Sequence, residues 1–522
     1  MSPRHNLVSE VTWITVYGPY VDDTGNTDVT IHECLTQAHR IIGICANTPM
    51  HTIATMRLLT AVVLDAYRDN YDALAHVETT GKFDTDIINN YLNEHHDKFH
   101  LVHDTHPFYQ SIDLAEAITR TATTFSPIST LSPQFASGNT KTNWSHLTAE
   151  HYLDLSPADT ARCLITTQHA DAPGRAVRQS PWSKKNSGNA SPITTYAQYI
   201  VVGTTLAASI AHHAMSVSHL VTDQDRPSWI NRPPNEPRTR DPIGPCDWLS
   251  WPARRILLRT NNNDRYDRVY VTHGDAFNNA SPPTQVDPFI ATRKNKPVFP
   301  FRSRTESADD AFMTVHSKLP DAVYRALDQS VTGHLNVTVT GQQMNIGKYV
   351  GTMDITFTIY KGVCYRNLYD IINFVYNSKK IYWNVADLRG KILSEVERTY
   401  ANTTNISQEI DITKILMSMP VIRGNEYDSL FKKVNKMFSL SEENKEKLSN
   451  KFGVKFPKKK APNKPRNKRI PKQHNESIPA SSQPYLILYH HHGDTHKVTS
   501  GISDDDTIFE TSILTNYPSI RE

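Results

Sequence analysis

Arginine gives way to lysine part-way along this chain. Residues 1–354 carry 21 Arg and 9 Lys, whereas residues 355–522 carry 7 Arg and 19 Lys. One domain of uniform origin would not invert that ratio, so the sequence reads as two joined units with the junction near Asp354. At roughly 100 to 200 residues per domain, 522 residues leave room for two to four domains. The totals, 56 Lys+Arg against 53 Asp+Glu, hide the change completely. Only 38% of residues are hydrophobic, and no window of about 18 uninterrupted apolar residues occurs, which excludes a helical membrane-spanning protein. The apolar content is still too high for a wholly disordered chain. The first residues offer Arg4 but no apolar stretch behind it, so no secretory signal is expected and a cytoplasmic location follows. Cys34, Cys45, Cys163, Cys246 and Cys364 are odd in number and widely spaced. They suit neither a disulfide framework nor a zinc knuckle, and buried thiols are expected.

In the first unit, Leu35, Ala38, Ile41 and Ile42, then Ile53, Met56, Leu59, Val63 and Ala66, fall at helical spacing, predicting two helices over residues 31–67 broken at Asn47-Thr48-Pro49. Ser156-Pro157 ahead of Ala158, Ala161 and Leu164 is a helix start, with a hydroxyl cap and a proline where no N–H is needed. The Gly, Ser, Asn and Pro-rich stretch from Pro173 to Pro192 predicts a long surface loop. Val269–Thr272 and Leu335–Thr340 are β-branched runs that read as strands, the second bounded by Gly333 and Gly341. The predicted class is α+β: a large mixed N-terminal domain, then a smaller Lys-rich unit.

That second unit contains a repeat. Tyr360-Lys361-Gly362-Val363-Cys364-Tyr365-Arg366-Asn367-Leu368 returns 62 positions later as Ile422-Arg423-Gly424-Asn425-Glu426-Tyr427-Asp428-Ser429-Leu430. Each copy reads as a short strand, a basic-Gly turn and a helix, so residues 355–454 are expected to form two β-α modules, serving either for packing or for DNA binding. Residues 455–480 form a Pro-rich basic arm, with nine Lys or Arg between Lys455 and Lys472. Such a run cannot pack and suits polyanion contact. Residues 481–522 are a tail whose clearest element is a strand over Tyr485–Tyr489.

Several strings in the first unit resemble one family. They are Ala38-His39-Arg40-Ile41-Ile42, Phe99-His100-Leu101-Val102-His103-Asp104-Thr105-His106-Pro107-Phe108-Tyr109-Gln110, and Ala136-Ser137-Gly138-Asn139 within residues 133–144. Asp225-Arg226-Pro227-Ser228-Trp229, Gly244-Pro245-Cys246-Asp247-Trp248-Leu249-Ser250-Trp251 with Arg254-Arg255-Ile256-Leu257-Leu258, His273-Gly274-Asp275 and Val286-Asp287-Pro288 follow. Their order and spacing resemble CasA, the large subunit of the type I-E CRISPR Cascade complex, over residues 1–354. The resemblance implies a non-catalytic subunit that recognises the protospacer-adjacent motif of duplex DNA and helps unwind the target. Its implied partners are the other Cascade subunits, the guide RNA, double-stranded target DNA and a helicase-nuclease, with no membrane and no cofactor. Base pairing to the guide would read sequence, while protein reads the motif and the backbone shape.

The resemblance also assigns roles. A loop touching the guide complex corresponds to Asn139, Thr140, Lys141, Asn143 and Trp144, where amides, a lysine and an indole suit RNA backbone and base stacking. A glycine loop approaching the minor groove corresponds to Gly174 and Arg175. The basic side chain entering that groove falls near Arg268 and His273, and both stay open. A wedge hairpin corresponds to residues 340–348, with Gln343, Asn345 and Ile346 as its working side chains. An apolar group inserted there offsets part of an unstacking cost of about a few kcal/mol. After the wedge the family continues into a four-helix bundle, in whose place this chain carries the Lys-rich repeats. Lys361, Arg423, Lys458, Lys459, Lys460, Arg466, Lys468 and Arg469 are the expected DNA-backbone contacts in that region.

Histidine clusters carry the competing readings. His100, His103 and His106 are three apart, but a helix would scatter the third ligand, so structural histidines are expected. His490, His491, His492 and His496 with Asp494 are a sharper set, which defines the alternative of a targeting subunit fused to a metal-dependent nuclease over residues 481–522. A free-standing DNA-binding regulator is the third reading.

Overall fold

The computed structural model describes residues 5–19, 25–121, 124–131, 154–172, 189–194, 196–278, 283–293, 296–297, 319–331, 334–345, 348–360, 440–453 and 486–489, with isolated positions 413, 417, 435 and 456. The chain divides into two compact units, Met1–Tyr489 and His490–Glu522, and every described residue lies in the first.

The chain opens with a small antiparallel sheet in which β1 (Ile14–Tyr17) lies between β2 (Thr27–Val29) and β3 (Gly43–Ile44). Between β2 and β3, α1 (Ile31–Thr36) starts from a capping box formed by Thr30 and Glu33. The helix expected to run on through Ile42 stops at Thr36. A 3₁₀ turn, Ala38–Arg40, follows, and the backbone is then drawn into the sheet, with Ile42 N bonded to Tyr17 O and Cys45 N to Thr15 O. Those bonds satisfy groups that a short helix would leave open.

The second predicted helix forms as α2 (Pro49–Ala66), capped by Thr48 with Pro49 in the first turn. Fifteen of its eighteen residues are buried, so it is a central core helix rather than an amphipathic surface one. Around it pack α3 (Tyr71–Thr80), α4 (Thr85–Glu94), α6 (Pro157–Ala170), α7 (Leu206–Val217) and α8 (Pro245–Leu249), while α5 (Leu114–Thr121) belongs to a smaller cluster. α6 begins with the Ser156 cap and Pro157, as expected.

The antiparallel pair β7 (Arg254–Thr260) and β8 (Tyr266–His273) carries β4 (Ser126–Pro127) on its edge. One face of the pair joins the main core through Ile256, Leu258 and Val269, and the other packs Leu257 and Tyr270 against α5. Short pairs β6 (Thr239–Arg240) with β9 (Ala276–Phe277) and β10 (Thr292–Arg293) with β11 (Lys296–Pro297) flank it.

The largest sheet runs β14-β13-β12-β5, from β5 (Gln198–Val202), β12 (His334–Asn345), β13 (Lys348–Tyr360) and β14 (Leu486–Tyr489), all antiparallel. α9 (Asp321–Gln329) covers it, with Val323 and Leu327 against Val337 and Val339. Two expectations change here. The strand predicted to end at Gly341 continues through it to Asn345, because pairing with β13 outweighs glycine's weak strand preference. The compositional boundary at Asp354 falls inside β13, which runs on to Tyr360. β14 is the tail strand expected over 485–489. α10 (Glu442–Phe452) lies between Ser441 as cap and Gly453 in the left-handed region.

The strings that carried the resemblance prove to hold one another. Asp225 accepts from Cys246 N and Asp247 N at the start of α8, at 3.0 and 2.9 Å. Asp287 accepts from Trp248 Nε1 and Arg57 Nη1, both at 2.7 Å. Asp275 binds Arg240 and Arg255, and its carbonyl takes Trp251 Nε1 at 3.1 Å. A Cβ on Gly274 would lie 2.3 Å from Pro252 O, so only glycine fits between the two segments. Each charge in this network is partnered, and all but the half-buried Arg240 are buried, which makes the strings internal scaffold. Cys34, Cys45, Cys163 and Cys246 are free thiols, and Cys364 lies outside the described residues.

Candidate nucleic-acid interface

A helix leaves its last carbonyls without partners of its own. At the C-terminus of α6 those carbonyls are taken by two separate segments, residues 191–194 and the strand that carries Gln342. Ser191 Oγ donates to Thr167 O at 3.2 Å, and Ile193 N donates to His169 O at 2.9 Å. Gln342 Nε2 donates to Ala170 O at 2.7 Å. Ser191 N and Thr194 Oγ1 donate to Asp171 O, at 3.0 and 2.7 Å. The chain that leaves α6 after Ala172 is therefore back at the same helix end by Ser191.

This helix end is also held ionically. Arg254, at the start of β7, donates through Nε to Asp171 Oδ2 at 2.7 Å and through Nη2 to Ala172 O at 3.1 Å. The two charged side chains are 1% and 2% exposed. Gln168 on α6 locks the same strand, its Oε1 accepting from Arg254 N at 2.9 Å and its Nε2 donating to Arg254 O at 3.0 Å. In the low-dielectric interior these charged bonds gain strength only because each group has its partner.

Gln342 brings the β12–β13 hairpin to this point. β12 pairs with β5 only from Asn336 to Thr340, and β13 with β14 only from Phe357 to Tyr360. Beyond Thr340 the hairpin is a two-stranded ribbon, with a register shift between Gln343 and Met344 and a last pair Asn345↔Lys348. Five residues from Gly341 to Asn345, at about 3.3 Å each, give it a reach of about 17 Å past the sheet. A bare ribbon is marginal in water, so the buried Gln342 amide is the anchor that fixes its direction.

Among the residues predicted for function, Gln343 and Asn345 lie on this ribbon, while Ile346 lies outside the described residues. The loop holding Gly174 and Arg175 leaves from the same helix end, but those two residues are also outside them. So are Asn139, Thr140, Lys141, Asn143 and Trp144, the basic set Lys361, Arg423, Lys458, Lys459, Lys460, Arg466, Lys468 and Arg469, and the tail histidines His490, His491, His492 and His496.

The two candidates for the groove-entering base are placed apart. His273 is 7% exposed and pairs in register with Arg254, which puts it beside the same helix end but inside the protein. Arg268 is exposed and pairs with Arg259, five residues further along β7, or about 17 Å at 3.3 Å per residue. Arg259 is exposed too, with its guanidinium 4.1 Å from the centroid of the Phe125 ring. Two like charges directly opposite one another weaken a sheet unless an anion lies over them. Sequence reading assigned no role of their own to Gln168, Asp171, Arg254 and Gln342, because their significance lies in partners 83 to 172 positions distant.

The His100-His103-His106 spacing does not form a helix. His103 Nδ1 accepts from Thr105 N and His106 N, both at 3.2 Å, and the rings of His103 and His106 lie 3.7 Å apart. Among the described residues no helix is long and apolar enough to cross a membrane.

The family model described as CRISPR-associated protein Cse1 matches residues 6–383. A CRISPR-associated protein CasA/Cse1 of Thermus thermophilus is 31% identical over 265 residues, which make up 49% of each chain. The present chain thus spans about half the length of that curated relative. The solved structure of Thermus thermophilus CasA superposes with a TM-score of 0.58 over 85% of this chain and 97% of its own, at 19% identity. A chain of a solved CRISPR RNA-guided surveillance complex does so with a TM-score of 0.58 over 86% and 98%, at 13% identity. At such identities it is the fold that is shared. The family match and both superpositions extend past Asp354, where the resemblance read from sequence ends.

Proposed function

The chain belongs to the Cse1 family of CRISPR-associated proteins, and we propose that it acts as the non-catalytic large subunit of a type I-E surveillance complex, reading the protospacer-adjacent motif and opening the duplex beside it. The observation that carries this reading is the meeting of three segments on the end of α6. The chain departs α6 at Ala172, is back beside it at Ser191, and meets the base of the hairpin at one buried anchor, which supports presentation of these segments to a duplex together. The loop backbone would approach the minor groove through Gly174, and the hairpin would carry Gln343, Asn345 and Ile346 into the opened step. Arg268 with Arg259 would take phosphate charge further along the DNA. His273, being buried, would position the strand rather than touch nucleic acid. The guide-complex contact is assigned to Asn139–Trp144, and the other Cascade subunits, the guide RNA, target DNA and a helicase-nuclease are the proposed partners. The matched relatives are Cse1 proteins and surveillance complexes, which favours a subunit over a fused nuclease or a free-standing regulator.

The test is selection of a randomised motif library by the guide-RNA complex, assembled with and without this chain. Enrichment of one motif class is expected only when the chain is present, and alanine at Gln343, Asn345 and Ile346 together should reduce opening of the duplex. Arg268→Ala should weaken binding across all motifs and lower the salt slope by about 0.9 per lost phosphate contact. Enrichment that is identical without the chain would end the proposal.

A further inference from the structure

The 3₁₀ turn His96–Phe99 follows α4 directly and folds three ligand-type side chains onto one point. Donor atoms of His96, Asp97 and His100 all lie within 4.8 Å of one another. His100 Nε2 is 3.8 Å from Asp97 Oδ1, and the rings of His96 and His100 meet edge to face at 5.6 Å. His100 is 5% exposed, its Nδ1 has no hydrogen-bond partner among the described residues, and its Nε2 lies 3.8 Å from Asp97 Oδ1. A buried imidazole nitrogen left without a partner costs about 1–3 kcal/mol.

We propose that His96, Asp97 and His100 bind a divalent transition-metal ion of the zinc class. Two imidazoles and one carboxylate suit zinc, nickel or cobalt, whereas magnesium and calcium favour oxygen donors throughout. Tetrahedral zinc with bonds of about 2.0–2.1 Å needs ligand atoms about 3.4 Å apart. Asp97, whose side chain is 74% exposed, is free to close the remaining gap. Metal-bound imidazoles usually have a hydrogen bond on the nitrogen that does not bind. With Nδ1 as its ligand atom, His96 would keep such a bond, between Nε2 and Ser9 Oγ at 2.9 Å, and its carbonyl accepts from Asn6 Nδ2 at 2.9 Å. The Glu10 carboxylate accepts from Asn6 N at 2.8 Å in the same segment. Ser9, Asn6 and Glu10 all belong to the N-terminal segment, so a bound ion would clip that segment to the turn after α4. Three protein ligands leave a position for water. His103 and His106 stay outside the site, engaged with Thr105 and with each other.

The experiment uses the full chain without an affinity tag, carrying His490→Ala, His491→Ala and His492→Ala so that the tail histidines cannot compete. Zinc chloride is titrated by calorimetry and followed by thermal unfolding, with magnesium chloride as the comparison. One zinc per chain and a raised Tm are expected, with no response to magnesium. Asp97→Asn, an exposed change that leaves the core untouched, should weaken zinc by more than about tenfold, as should His100→Gln, while His103→Ala should leave it unchanged. Zinc binding that survives both Asp97→Asn and His100→Gln, or no zinc-dependent rise in Tm, would overturn the assignment.

Discussion

Asp171→Ala removes the only carboxylate that, among the described residues, pairs with the Arg254 guanidinium sealed in the interior. Arg254 is 1% exposed, and its remaining bonds go to the neutral carbonyls of Ala172 and Ala253, at 3.1 and 2.8 Å. Removing one member of such a pair costs about 3–5 kcal/mol, since the other charge stays buried without compensation. Unfolding entropy of about 2.1 cal/mol/K per residue over 522 residues comes to about 1.1 kcal/mol/K, so a loss of ~4 kcal/mol lowers Tm by about 4 °C. Replacing both partners by apolar residues, Asp171→Leu with Arg254→Met, should instead restore Tm to within about 1 °C, because no lone charge remains. The double variant still lacks the Nη2 bond to Ala172, so the end of α6 is no longer held ionically. Scanning calorimetry reads the first effect, and motif-dependent DNA binding by the assembled complex reads the second. The expected result is a stable double variant that binds target DNA more weakly. A Tm loss below about 1 °C in Asp171→Ala would refute the buried-charge argument, and full DNA binding by the double variant would refute the positioning role.

Glu78 ties α3 to α7 and α9 through His212 at 3.1 Å, Arg325 at 2.6 Å and Gln329 at 3.0 Å. Burial pushes its pKa up, but the bonds from His212 and Arg325 outweigh that and hold it at about 2, against 4.5 when free. Its stabilising contribution is therefore complete above about pH 4.5 and lost as pH falls toward 2, and Glu78→Gln should flatten the acid side of the Tm-pH curve. Gly274→Ala would force a Cβ to 2.3 Å from Pro252 O and 2.5 Å from the Ala253 carbonyl carbon; a loss of about 1–3 kcal/mol in chemical unfolding is expected from backbone that cannot yield. Arg268→Glu should gain about 0.2–1 kcal/mol by relieving the facing Arg259, while weakening DNA binding. A simultaneous fall in stability would show that the arginine pair is not repulsive.

The capped helix at Ser156-Pro157 was legible because its signals are local: a hydroxyl, a proline and a helical run within a few residues. The strand over Leu335–Thr340 was legible for the same reason, from β-branched residues in sequence. Its extension to Asn345 was not, because it depends on bonds to residues 348–354. α10 has ordinary local signals in Ser441, Glu442, Glu443 and Gly453, yet the repeat pattern around it obscured them. Histidine spacing misled in the other direction. His100, His103 and His106 are regular in sequence, but a 3₁₀ turn brings His96 and Asp97 to His100 instead.

Composition, capping and motif order were enough to establish a mixed α+β chain of this family with a Lys-rich C-terminal part, since each rests on residues close together in sequence. Which candidate base faces outward was decided by tertiary structure alone. Arg268 and His273 lie on one strand, and only the packing of β7–β8 against the core and α5 buries one end and exposes the other. The site itself belongs to the same class of fact. Asp171, Arg254 and Gln342 have no role of their own that the sequence discloses. They become an anchor because folding removes water from all three at the end of α6, where every buried polar group must find its partner in the protein.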